Sequence, residues 1–242
     1  MQDHYVSRIS HRVENTDSIN QLSRGIRLLR EIGSWAFQGK GALTFGITSA
    51  MVFSRSREGL SSPDIQLLFT PASYSQKTHG ELEKEGGMTV VVCPVRPSSR
   101  GTIMAKSSDP FIRPLIRPNY FSDPDDIRVM IAGFKQAREI LAQPAFKPFS
   151  VEETVPGQML QSDDELEKFA RDNGSIIYHP VSTCKMGEDP MAVVDSRLKV
   201  HGIEGLRVVD ASIMPTVTTG NTNAPTIMIA EKASDMILED AK

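Results

Sequence analysis

Apolar and polar positions alternate along the chain with two different periods. Over residues 19–35 apolar side chains recur at Leu22, Ile26, Leu29 and Ile32, the spacing of an amphipathic helix. A Gly-punctuated stretch, FQGKGALTFGITSAMVFSRS, follows and turns into a short apolar segment. Residues 63–69 (PDIQLLF) alternate as a strand does, and residues 88–95 (MTVVVCPV) read as a β-branched strand of a sheet core. Between them, residues 73–87 (SYSQKTHGELEKEGG) form a polar loop, the segment expected to be most mobile. Residues 101–105 and 114–119 are two further short strands, separated by the turn chemistry of RPSSRG and KSSDPFIRP. Together these predict an antiparallel sheet with hairpin connections.

The second half is punctuated by helix signals. Asp123 can cap a helix that Pro124 opens, and Asp125 and Asp126 suit its positive end. Ile127, Met130, Ile131, Phe134 and Leu141 then share one face. Ser162-Asp163-Asp164-Glu165 is a capping-box pattern for another short helix, stopped at Asn173-Gly174. Residues 206–209 (LRVV) predict a strand, followed by Asp210-Ala211-Ser212 and the Gly/Asn/Pro loop TVTTGNTNAP. Pro225 then marks the start of a last helix.

Composition narrows the function classes. A net charge of −3 and a pI near 6.0 give no broad basic face for nucleic acid, so no nucleic-acid partner is expected. Cys93 and Cys184 are too few for a disulfide framework, and a reducing, cytoplasmic setting is the default. No apolar run reaches the roughly 18 residues of a membrane span, and MQDHYVSRISHRVENTD contains no signal-peptide apolar region.

The chemistry concentrates in YHPVSTCKMG, residues 178–187. His179 and Cys184 give two possible zinc ligands where such a site wants four, or three plus water. His4, His11, His79, His201 and Cys93 add no ligand-pair spacing. A nucleophilic Cys184 with His179 as its base lacks an orienting partner readable from the sequence. A third reading makes His179 a general base, delivered by a strand over residues 176–178 and fixed by Pro180. Three downstream features suit that reading. Asn221 carries an amide that can donate to a developing alkoxide. The helix start around Asn223 favours a negative charge, as on a reduced flavin. Asp210-Ala211 is small enough for close approach of a cofactor. Each piece also has a bland reading as core histidine or turn former.

Three ordered blocks, HPVSTCKMG, VVDSRLKVHGIEGLRVVDASIMP and TTGNTNAPTIMIAEKASDMI, resemble the C-terminal signature of the glucose–methanol–choline (GMC) flavoprotein oxidoreductases. The choline dehydrogenase and alcohol dehydrogenase (acceptor) branch is the most similar. RPSSRG with SSDPFIRPLIRPNYFSDPDD resembles that family's substrate-binding half, and QDHY at residues 2–5 its Leu-Gln-Asp-His segment. The resemblance implies an α+β fold. An antiparallel sheet of about six strands is covered by helices, and a C-terminal strand and helix belong to an incomplete FAD-binding domain. It implies residues 1–18 as a remnant of the FAD-domain connection, 19–175 as the substrate-binding domain and 176–242 as a catalytic, flavin-contacting segment.

It further implies His179 as catalytic base and Asn221 as second active-site residue, with Asp210, Ala211 and Asn223 near the flavin. His4 receives no chemistry from it. The implied reaction is FAD-dependent oxidation of an alcohol to an aldehyde, with a quinone or oxygen as electron acceptor. Peripheral association with the inner membrane is compatible with a quinone-linked enzyme.

One departure is large: the sequence contains no GxGxxG to cradle the ADP part of FAD. Beginning within the Gln-Asp-His segment reads as a truncated frame or a split gene. The alternative expectation is therefore a non-catalytic fragment, or a split-enzyme subunit that needs the missing N-terminal half to bind FAD. Leu206, Val208, Ile227, Ile229 and Met236 are then expected to expose apolar area or repack.

Overall fold

The computed structural model describes residues 1–44, 46–76 and 80–242. His79 and the middle of the polar 73–87 loop lie outside the described residues. Two compact units emerge, one of Val6–Cys93 and Val129–Ser175, the other of Met1–Tyr5, Pro94–Arg128 and Ile176–Lys242.

The first unit is built on an antiparallel sheet. Its strands are β1 (Tyr5–Val13), β2 (Ala50–Ser54), β3 (Ile65–Thr70) and β4 (Gly87–Pro94), with β7 (Ser150–Val155) at one edge, in the order β2-β3-β4-β1-β7. A short β8 (Ser175–Ile176) pairs with β1 and makes six strands. Two further strands, β5 (Thr102–Met104) and β6 (Leu115–Arg117), belong to the other unit and form a separate exposed ribbon. The register sets Ile9 opposite Val90 and Ala50 opposite Phe69. Consecutive residues of β3 and β4 are buried, so the centre of the sheet is covered on both faces and reads as continuous apolar runs.

Helix α3 (Pro124–Leu141) packs the stripe predicted for it: Met130, Ile131, Phe134 and Leu141 are buried. Gly133 lets the helix sit close on the sheet, because a Cβ there would stand 2.3 Å from Val92 Cγ1. Asp123 Oδ1 accepts from the Asp125 N–H at 2.9 Å, as expected of a cap. The capping box of α4 (Asp163–Asn173) also forms, with Ser162 Oγ accepting from Glu165 N–H at 3.3 Å and Glu165 Oε2 accepting from Ser162 N–H at 2.9 Å.

The single helix predicted over 19–35 is instead two, α1 (Ile19–Leu22) and α2 (Gly25–Gln38). Gly25 takes φ 54, which breaks the ladder. Asn20 explains why the first turn stays put: it is buried and donates to the carbonyls of Ser73 at 2.8 Å and Glu83 at 3.1 Å. The stripe of α2 is not buried; Ile26, Leu29, Ile32 and Trp35 are all exposed.

The second unit has its own core of Val181, Val194, Leu198, Ile213, Met214, Val217, Ile229 and Ala233. Its last helix is α5 (Asn223–Asp240). The strand predicted over 206–209 is reduced to a bridge between Lys199 and Arg207, because only the short 198–200 segment lies opposite it. Val208 and Met236 pack on the core and Ile229 is buried within it, whereas Leu206 and Ile227 are exposed. No helix among the described residues is long and apolar enough to cross a membrane.

In an ordinary exposed helix, Gly to Ala stabilises by up to about 1 kcal/mol. At Gly133 the sign reverses: Gly133→Ala lowers unfolding free energy by about 1–3 kcal/mol through overpacking against Val92, read from the urea midpoint.

Candidate active site

All the candidate site residues lie in the second unit. His179 is not at the end of a regular strand, as the sequence predicts. β8 stops at Ile176, and Tyr178 and Ser182 take φ 60 and 69, so the histidine sits in a turn between two left-handed residues. Such backbone needs support from outside the turn.

The support comes from residues 2–4. Gln2 and Val181 exchange backbone hydrogen bonds of 3.0 and 2.8 Å. The side chain of Gln2 accepts from Val217 N–H at 3.0 Å and donates to Pro97 O at 2.6 Å. Asp3 Oδ1 accepts from the backbone N–H groups of both His4 and His179, each at 2.8 Å. Its other oxygen accepts from the Tyr120 hydroxyl at 3.0 Å. Downstream, Cys184 N–H donates to Ser212 O at 3.0 Å and Met186 N–H to Ile213 O at 2.8 Å. The turn that carries His179 is therefore stitched to the segment that carries Ala211.

The ring of His179 meets the ring of His4. Their Nδ1 atoms are 2.9 Å apart, the centroids 5.1 Å apart and the planes inclined by 80°. Only one of these nitrogens can carry the shared hydrogen. His4 Nε2 lies 3.3 Å from Val95 O, and the backbone of Thr218 also faces that ring. Burial, and then the neighbouring His179, push His4 down to about 4. Burial likewise lowers His179, partly offset by Asp3. Both rings are neutral at pH 7. Burial and Asp3 together raise Tyr120, so it stays a phenol and a donor.

The other predicted residues lie close in the chain to these anchors. Asn221 is exposed, three residues beyond the Thr218 backbone that faces His4. The loop carrying it and the turn carrying His179 thus meet the same two residues, Gln2 and His4. Asp210 accepts from Ser212 N–H at 2.7 Å and caps a single 3₁₀ turn, Ala211–Ile213. Asn223 is exposed and begins α5, whose first intrahelical bond is Thr226 N–H to Thr222 O. The N–H groups of Asn223 and Ala224 have no intrahelical acceptor. His201 is exposed, with Nε2 3.0 Å from Gly187 O. No group of three or more His, Cys, Asp or Glu among the described residues could hold a metal ion.

Open donors near the candidate residues are two serine hydroxyls and a helix start. The hydroxyls of Ser182 and Ser212 are buried without a partner among the described residues. Ser212 lies within the strand-like pairing of 184–186 with 212–213, and Ser182 lies two residues before it. A helix start with open N–H groups is a site for a negative charge. Nothing in the sequence offers a GxGxxG for a pyrophosphate. Sequence reasoning alone misses Gln2, Asp3, His4 and Tyr120; the available signal was a polar QDH leading directly into the strand segment YVSRISHRV.

The family model described as GMC oxidoreductase matches residues 97–230. An alcohol dehydrogenase (acceptor) of Pseudomonas putida is 46% identical over 206 residues, covering 85% of this chain and 37% of the relative. An oxygen-dependent choline dehydrogenase of Yersinia pseudotuberculosis is 46% identical over 203 residues, covering 84% and 36%. The chain thus spans little more than a third of these relatives. Among solved structures, formate oxidase of Aspergillus oryzae RIB40 superposes with a TM-score of 0.88 at 26% identity, over 99% of this chain and 46% of that one. A fungal aryl-alcohol oxidase shares the fold, with a TM-score of 0.79 at 21% identity.

A histidine held neutral by burial binds its proton more weakly folded than unfolded. Its cost is absent above the unfolded pKa of 6.5 and grows as pH falls toward about 4. Urea unfolding across this range should lose on the order of 3 kcal/mol for His4. His4→Asn should flatten the profile between those pH values.

Proposed function

The chain belongs to the GMC oxidoreductase family, and we propose that it supplies the proton-abstracting side of an FAD-dependent oxidation of an alcohol to an aldehyde. The observation that carries this reading is the environment of His179. Its ring is buried and neutral, its Nδ1 is engaged by His4, and its Nε2 remains as the nitrogen able to take a proton.

In this reading His179 Nε2 takes the hydroxyl proton of the bound alcohol. Asn221 donates an amide N–H to the oxygen as its charge develops. Asn223 and the start of α5 would hold the negatively charged part of the cofactor, and the Asp210–Ala211 turn would leave room for its close approach. Bound FAD supplies the acceptor for the carbinol hydride at its N5 atom. A quinone or oxygen then takes up the electrons; the names of the two relatives specify an acceptor and oxygen. The ADP part of FAD needs a partner surface that this sequence does not spell out, such as an N-terminal flavin-binding half.

The test is the visible spectrum of the 242-residue chain with added FAD. Bound-flavin bands at about 1:1, bleached by a primary alcohol, are the expected result once an N-terminal flavin-binding half is added; the chain alone is expected to leave the FAD spectrum unchanged. His179→Ala should keep the bands and slow bleaching by about 10²–10⁴. Asn221→Ala should slow it by about 10²–10³. Bleaching at the unaltered rate in His179→Ala would remove the base from this histidine. The variants are read in that complemented sample, and bands from the chain without the added half would show that it holds FAD by itself.

A further inference from the structure

We infer that His4 is a positioning residue for the proposed reaction: it fixes His179 in the tautomer with hydrogen on Nδ1 and the lone pair on Nε2. The inference rests on the reading of His179 as the base, and gives His4 a role that the QDH resemblance does not.

The assignment follows from the two contacts placed at ring atoms of His4, those to Val95 and His179; the backbone of Thr218 faces the same ring as a further acceptor. Val95 O, 3.3 Å from His4 Nε2, is an acceptor only, so that nitrogen carries the hydrogen. A neutral His4 then has a bare Nδ1. That atom lies 2.9 Å from His179 Nδ1, which must be the donor. His179 is left with its lone pair on Nε2, the nitrogen away from the pair. An imidazole without this partner samples both tautomers, and the one with hydrogen on Nε2 cannot act as a base at that atom.

The geometry is held at both ends. One oxygen of Asp3 accepts from the backbone N–H of both histidines, so the two ring attachments share an anchor. Tyr120 holds the other oxygen in place. His4 is fully buried, at 0% exposure, which keeps water from replacing it as the acceptor. Its resistance to protonation keeps Nδ1 bare at neutral pH, because a charged His4 would present a hydrogen there and repel His179.

The test needs no flavin. Long-range ¹H–¹⁵N spectra of ¹⁵N-histidine-labelled chain report the protonation of each ring nitrogen. The expected result is protonated Nδ1 and bare Nε2 for His179, the reverse for His4, and a ¹⁵N–¹⁵N coupling across the two Nδ1 atoms. A hydrogen on His179 Nε2, or the absence of that coupling, overturns the inference. His4→Asn places an amide oxygen near the position of Nδ1 and should preserve the His179 tautomer. His4→Phe keeps the bulk, loses the acceptor and should give mixed tautomers.

A role in packing alone predicts the opposite order, with Phe the better replacement, and that result also overturns the inference. If His4→Phe does not fold, the unaltered chain and His4→Asn still decide. Inferred tautomers together with flavin bleaching that ignores His179→Ala would support the tautomer assignment and sink the base reading, so the two failures are distinguishable.

Discussion

A single carboxylate oxygen organises the candidate site. Asp3 Oδ1 receives two backbone N–H groups whose residues are 175 positions apart, those of His4 and His179. Charge-assisted bonds of this kind are about twice as strong as neutral ones, and removing a buried acceptor leaves both donors unpaired. The turn at His179 contains two residues in left-handed backbone, which holds only where its surroundings over-determine it. Asp3 and the backbone pairing of Gln2 with Val181 provide that surplus.

The same arrangement sets the electrostatics. Two imidazoles in contact, both buried, cannot both be charged without uncompensated repulsion and desolvation. The site avoids that cost by keeping both neutral, and neutrality is what a proton acceptor requires. Asp3 opposes this by favouring the charged form of His179, yet burial is the larger effect. The negative charge of Asp3 is spent mainly on N–H groups and a phenol rather than on the rings.

Local chemistry was legible in the sequence wherever it sets local structure. The α3 stripe, the capping box at Ser162 and the strands β3 and β4 follow from period and cap residues, and the structure contains all of them. The break at Gly25 was not read, because a glycine inside an apolar period can either be tolerated or end a helix. The residues supporting His179 were not read for another reason. Gln2, Asp3 and His4 act across more than 170 positions, and no periodicity connects an N-terminal tripeptide to a turn so distant. Family resemblance pointed to His179, Asn221, Asp210, Ala211 and Asn223, but not to what holds them.

The exposed stripe of α2 has an optical consequence. Trp35 is the only tryptophan in the chain, and it lies on that stripe at 54% exposure. Selectively excited emission therefore comes from one half-solvated indole outside both cores. Unfolding changes its surroundings little, so the colour of that emission is a poor gauge of whether the sheet or the histidine pair is intact. It is a good gauge of anything that settles on the stripe itself. A shift to the blue on mixing with another molecule would mark coverage of α2, separately from any change in the flavin bands.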